Sequence, residues 1–112
     1  MKNSIALFAA VLFVASPANA GQAAFSAPYG IHATEHGVVI FHTNGARSDP
    51  PTCPSPLIAN RFAIAATTDA GKAMISLLLT AQARGKRVSV YGTGNCNLWG
   101  DTESVSYLVV ED

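Results

Sequence analysis

Cys53 and Cys96 are the only thiols of this chain, and His32, His36 and His42 are its only imidazoles. Two thiols offer either a disulfide or a reactive sulfur, and grouped imidazoles offer zinc or copper ligation. The histidines all have even numbers, so an unbroken strand sets them on one face. At about 3.3 Å per residue, however, His32 and His42 would stand roughly 33 Å apart, far beyond a shared ion whose bonds are near ~2 Å. Only His32 and His36 could meet, through a turn. No metal and no cofactor is expected.

Other candidate chemistry is thinner. Gly92-Thr93-Gly94-Asn95 has the glycine spacing of a phosphate loop, but neither a lysine nor a helix follows it, so it reads as a turn. Ser89, Ser104 and Ser106 fall in strand-like stretches with no nucleophile-elbow context. Asp101 and Glu103 are two residues apart and read as solvent-facing charge rather than paired catalytic carboxylates. The chain is therefore expected to be non-enzymatic. Trp99, the single tryptophan, follows Cys96 in a loop near Tyr91. It offers either a plug for the end of a barrel or an exposed platform of the kind that stacks on sugars.

The setting for these residues comes from the first twenty. Lys2 precedes an apolar run over residues 5–15, Pro17 breaks it, and Ala18-Asn19-Ala20 supplies small residues before Gly21. That is the pattern of a cleaved secretory signal, and the run is too short for the ~20 residues that cross a bilayer, so no membrane anchor is expected. The expected organisation is a signal peptide over 1–20 and one domain over 21–112, secreted or periplasmic. In an oxidising compartment the two cysteines pair with each other. The formal net charge is zero and only 12 % of residues are charged, which points away from nucleic acid and towards apolar surface that self-association would cover.

The elements that must position this chemistry can be read in order. Residues 21–29 read as a loose arm, and Gly37 to His42 as the first strand, β-branched and aromatic. Thr43-Asn44-Gly45, Asp49-Pro50-Pro51 and Cys53-Pro54-Ser55-Pro56 are turn chemistry. Residues 61–65 alternate as a strand, with Phe62 and Ile64 on one face. Thr67, Thr68 and Asp69 offer cap oxygens to a helix over 70–84, which Gly85 ends. Met74, Leu77, Leu78 and Ala81 share a face of that helix, with Ile75 and Leu79 beside it and only Lys72, Ser76 and Gln82 as a polar strip. Such a helix needs cover from its own sheet and from a neighbouring copy. Arg84, Lys86 and Arg87 near its end complement the helix dipole. Two strands follow, over 86–91 with Val88 and Val90 inward, and over 103–110 with Val105, Tyr107 and Val109 on one face. The order predicts an α+β, mainly β domain: a small five-stranded Greek-key barrel of the oligonucleotide/oligosaccharide-binding (OB) type with one α-helix.

Several of these stretches carry a family likeness. Gly37-Val38-Val39-Ile40 with Phe41-His42-Thr43, a cysteine after a proline-bearing loop, a helix ending in Gly85-Lys86, and Val88-Ser89-Val90-Tyr91 together resemble the B-subunit family of subtilase cytotoxin among the pertussis-like toxins. The resemblance covers most of residues 36–110. It implies the same barrel, a homo-oligomeric ring of five subunits with helices facing the pore, a cell-surface glycan as ligand and an enzymatic A subunit as partner. In that family a serine just before the Gly-Val-Val-Ile stretch and a tyrosine after the helix grip sialic acid. Here the matching places hold His36 and Gly92, with Tyr91 one position away, so those contacts do not carry over residue for residue. The expected ligand surface comprises Glu35, His36, Tyr91, Asn95 and Trp99.

Overall fold

A computed structural model describes residues 20–112 of the chain. The expected signal segment lies, but for Ala20, outside the described residues. Seven strands and one α-helix follow: β1 (Gln22–Ser26), β2 (Tyr29–Ala33), β3 (Val38–His42), β4 (Arg47–Ser48), β5 (Arg61–Ala65), α1 (Asp69–Ala83), β6 (Val88–Gly92) and β7 (Glu103–Val110), with a 3-10 turn at Pro56–Ile58. The fold is α+β and mainly β, as expected. The strands form one sheet in the order β2-β3-β5-β7-β6-β1-β4, seven where five were expected, with β2 and β4 at its edges. All pairings are antiparallel except β5 with β7, where Phe62 lies beside Glu103 and Ala63 beside Ser104.

The expected loose arm is a strand instead. Residues 22–26 lack β-branched side chains, but β1 pairs with β6 through Ala23 and Val90, and with β4 through Ala23 and Arg47. Tertiary pairing overrides the weak local preference. It also buries Ser89, expected to face outward: β1 covers it, and its hydroxyl donates to the Ala23 carbonyl at 3.0 Å.

The helix forms where its cap residues dictate. Thr68 is the N-cap, its hydroxyl accepting from the Gly71 N–H. At the other end Gly85 has φ 67°, its N–H reaches the Gln82 carbonyl, and the Lys86 N–H reaches that of Ala81. That is a Schellman closure, which satisfies carbonyls the helix leaves open. Its inward face is Gly71, Leu78 and Ala81, with Met74 and Ile75 packed against the core. Leu77 was expected among the inward residues. It is 50 % exposed, and Leu79 is 47 % exposed.

Strand β7 departs from its expected face for a local reason. Tyr91 lies opposite Tyr107 while the next residue, Gly92, lies opposite Val105, so Ser106 is an extra residue and the strand bulges. Val105 and Leu108 therefore point inward, and Tyr107 and Val109 are exposed. The main core joins these to Phe41, Phe62, Ile64, Val88 and Val90 under α1. A second cluster, Val38, Ile40 and Ala63, occupies the opposite face of β3 and β5 and is covered by Leu98 and Trp99. Among the described residues no helix is long and apolar enough to cross a membrane.

Candidate functional site

The loop between β6 and β7 carries Trp99 and is tied down at several points. Cys96 is bonded to Cys53, 43 residues earlier in the chain. The disulfide matches the expected pairing and fits an oxidising, non-cytoplasmic setting. The Ser104 hydroxyl donates to Asn97 Oδ1 at 2.8 Å, the Ser55 N–H reaches the Asp101 carbonyl at 3.2 Å, and Trp99 bridges to Thr102. Arg61 of β5 reaches across to the loop's end, donating to the Thr102 hydroxyl at 2.7 Å and to Asp101 at 2.8 Å. The Arg61 hydrogen bond holds the Asp101 carboxyl below its usual range. Trp99 is thereby fixed against the second core cluster while staying half-buried.

Of the expected ligand residues, the structure brings His36 and Trp99 together, ring centres 5.8 Å apart and tilted by 52°. Glu35, next to His36 in the turn between β2 and β3, is exposed. Asn95 holds the loop by its backbone and side chain, its carbonyl accepting from Ser104 N–H and its Oδ1 from Asn97 N–H. Tyr91 has a different aromatic partner, stacking on Tyr107 at 4.4 Å and 8° across β6 and β7. The candidate site is thus an aromatic pair, His36 and Trp99, with Glu35 beside His36 in the chain and Asn95 and Asn97 on the loop that carries Trp99. A separate cavity of about 300 Å³ sits at the end of α1, lined by Leu77, Thr80, Arg84 and Lys86 among others and by none of these residues.

The histidines are arranged otherwise than the extended-strand spacing implied. The β2–β3 hairpin folds the chain back, so His32 and His42 approach to 6.1 Å between ring centres, and His42 stacks on Tyr29 at 5.3 Å. His36 points away to Trp99 instead of meeting His32. No group of three or more histidine, cysteine or acidic residues is placed to hold a metal ion among the described residues.

A buried acidic centre escaped sequence reading. Glu103, expected to face solvent, is fully buried and paired with Arg47 of β4 at 2.6 Å through Oε1. Its Oε2 accepts from the Gly21 N–H at 2.9 Å and the Gly94 N–H at 3.0 Å. The glycine-rich loop does receive an anion, and the anion is the chain's own carboxylate. A Cβ on Gly92 would lie 1.9 Å from Glu103 Oε2, so the missing side chain at this position makes room for the carboxylate. Arg47 is held further by the Ala59 carbonyl and lies 4.4 Å above the Phe62 ring. Burial pulls its guanidinium below the ordinary value, against the raising influence of Glu103. One available signal was the lone acidic residue at the start of an otherwise uncharged strand. No protein-family model, curated protein or solved structure matches the chain.

Proposed function

We propose that this protein is an exported, non-enzymatic binding module of toxin-B-subunit type, oligomeric, which offers the His36–Trp99 pair to a carbohydrate. The observation that carries the reading is that pair: two aromatic rings 5.8 Å apart, His36 in the β2–β3 turn and Trp99 on a loop stapled by a disulfide and seated on an apolar cluster. Sugars present C–H faces that stack on aromatic rings, and Glu35 and Asn97 stand nearby in sequence as hydrogen-bonding groups. Preorganising the loop lowers the ordering cost of binding.

The topology supports the OB-type barrel. Only Ala27 and Pro28 separate β1 from β2, and these strands pair with β6 and β3 respectively. Counted as one bent strand they give five long strands, with a parallel pair between the third and fifth and the helix between the third and fourth, the order an OB-type barrel has. The half-exposed Leu77 and Leu79 support assembly through α1, as in a ring of sister copies, to which an enzymatic subunit would attach. A second reading, an envelope interaction protein without carbohydrate affinity, draws on the same exposed leucines together with Leu57, which is 93 % exposed.

A glycan array on disulfide-intact protein, repeated with Trp99→Ala, tests the reading. Binding that falls roughly fivefold or more in the variant is the expected result, corresponding to a stacking contribution of about 1 kcal/mol. Absence of binding in both proteins removes the carbohydrate reading, and with a stable oligomer it selects the envelope reading. A monomer by solution mass measurement removes the assembly.

A further inference from the structure

The chain enters β1 through a buried charge. Ala20 is exposed, yet the next backbone nitrogen, that of Gly21, lies 2.9 Å from Glu103 Oε2 in a buried contact. The Gly21 carbonyl is held as well, accepting from the Gly92 N–H at 2.7 Å. A side chain at position 21 would place its Cβ 2.5 Å from Arg47 Nη2 and 2.6 Å from Glu103 Oε1, so it would have to displace the ion pair. The small-residue motif Ala18-Asn19-Ala20 marks the bond before this nitrogen as a peptidase site. Two separate observations, one in sequence and one in space, fall on the same atom.

We infer that cleavage of the Ala20–Gly21 bond creates a new ligand for Glu103, the α-ammonium of Gly21, and that this buried ion pair locks the processed domain. The step is a hydrolysis: water adds across the amide, Ala20 leaves as a carboxylate on the released segment, and the Gly21 nitrogen becomes an ammonium. Before cleavage that nitrogen donates one hydrogen bond from an uncharged amide to the carboxylate. Afterwards both partners are charged, and the hydrogen bond becomes a buried ion pair. The charged groups facing the nitrogen are Glu103 of β7 and Arg47 of β4, while Gly92 and Gly94 contribute only backbone N–H groups. Arg47 opposes the new charge, but it is directed to Oε1, leaving Oε2 to the ammonium. Each carboxylate oxygen then carries one cation. The lock is absent while the leader is attached, so a chain crossing a membrane unfolded acquires it only on arrival.

This inference rests on the export reading, and the test separates the two. Intact mass of the exported protein should give a chain starting at Gly21 with its disulfide closed. A different start overturns the inference and leaves export standing, whereas an uncleaved chain retained in the cytoplasm overturns both. Chains starting with free Gly21, with N-acetylated Gly21 and with Ala20 retained are then unfolded in denaturant at pH 6. The free amine should raise the folding constant about tenfold over the acetylated chain, equivalent to ~1.4 kcal/mol. Because the pair favours the charged amine in the folded state, the excess is full below the ordinary amine value of about 7.7 and fades as pH rises through the folded-state value. Equal stability of free and acetylated chains at pH 6, or an excess that does not fade at high pH, overturns the lock. Glu103→Gln, where it folds, should abolish the excess, and an excess that survives it also overturns the lock.

Discussion

Strand β7 ends near one arginine–glutamate pair and begins at another, and the two pairs have opposite surroundings. Glu103 is fully buried against Arg47, whose side chain is 13 % exposed, while Glu111 and Arg87 lie at the rim with 24 % and 58 % exposure. The contacts look alike on paper, 2.6 Å and 2.8 Å, and the rim pair makes more hydrogen bonds between its own two residues. The difference lies in what happens when a partner is lost. Water replaces the rim partner at little cost, whereas a buried carboxylate oxygen stripped of its cation cannot turn to water instead. Glu103 also joins three chain segments, Gly21 before β1, Arg47 on β4 and Gly94 after β6. It organises the corner of the sheet from which the aromatic loop departs.

The sharpest way to break this contrast is to remove the arginines one at a time. Arg47→Ala should lower unfolding free energy by about 3–5 kcal/mol, since it breaks a buried ion pair and leaves Glu103 Oε1 without its cation. Arg87→Ala should leave the denaturation midpoint unresolved from wild type. Equal effects in urea unfolding would end the distinction. Reducing the disulfide tests a neighbouring dependence. Cys53 and Cys96 close a loop with a separation of 43 residues, for which chain entropy gives roughly 3–4 kcal/mol. Unfolding with and without reductant should show that loss, and a midpoint unchanged by reductant would mean that the other loop contacts suffice. Gly92→Ala comes next. Its Cβ would meet Glu103 Oε2 at 1.9 Å, and moving a buried carboxylate that far should cost about 1–3 kcal/mol, the range for overpacking. Coupling between Gly92→Ala and Arg47→Ala in a double-mutant cycle would place both on the same carboxylate, and strict additivity would separate them.

What could be read from the sequence divides along the same line. The helix, its Thr68 cap and its Gly85 stop were legible because capping is decided within a few residues, and β5 was legible from its alternation. The disulfide followed from there being two cysteines and one compartment that suits them. Strand β1 was illegible because its pairing partners lie on β4 and β6, and in Gln-Ala-Ala-Phe-Ser only Phe25 favours a strand locally. Glu103 was illegible for a related reason: its burial depends on Arg47, 56 residues away, and a local window gives it only the solvent-facing reading. Within the candidate site, Trp99 stood out by rarity. Its pairing with His36 depends on a hairpin turn and a loop meeting over Val38 and Ile40, a juxtaposition that spacing along one strand does not contain.

The smallest effect tests the rim side of the comparison. Hydrogen bonds from Arg87 hold the Glu111 carboxyl below its ordinary value of 4.5, and those from Arg61 do the same for Asp101 relative to 3.8. Both folded-state values are depressed, so whatever stability these groups contribute is present above the ordinary values and lost as pH falls below them through the folded-state ones. The loss should be slight, because both carboxylates are solvent-accessible and screened. Comparing acid unfolding of wild type and Glu111→Gln isolates the Glu111 share. Wild type should be slightly the more stable above about pH 5.5, and the two curves should converge as pH falls through the carboxylate range, with wild type declining more steeply. At about 1 M salt, where screening acts over ~3 Å, the separation should shrink towards zero. A gap that persists there would mean the rim pair is shielded from water much as Glu103 is, and exposure could no longer account for the difference between the two ends of β7.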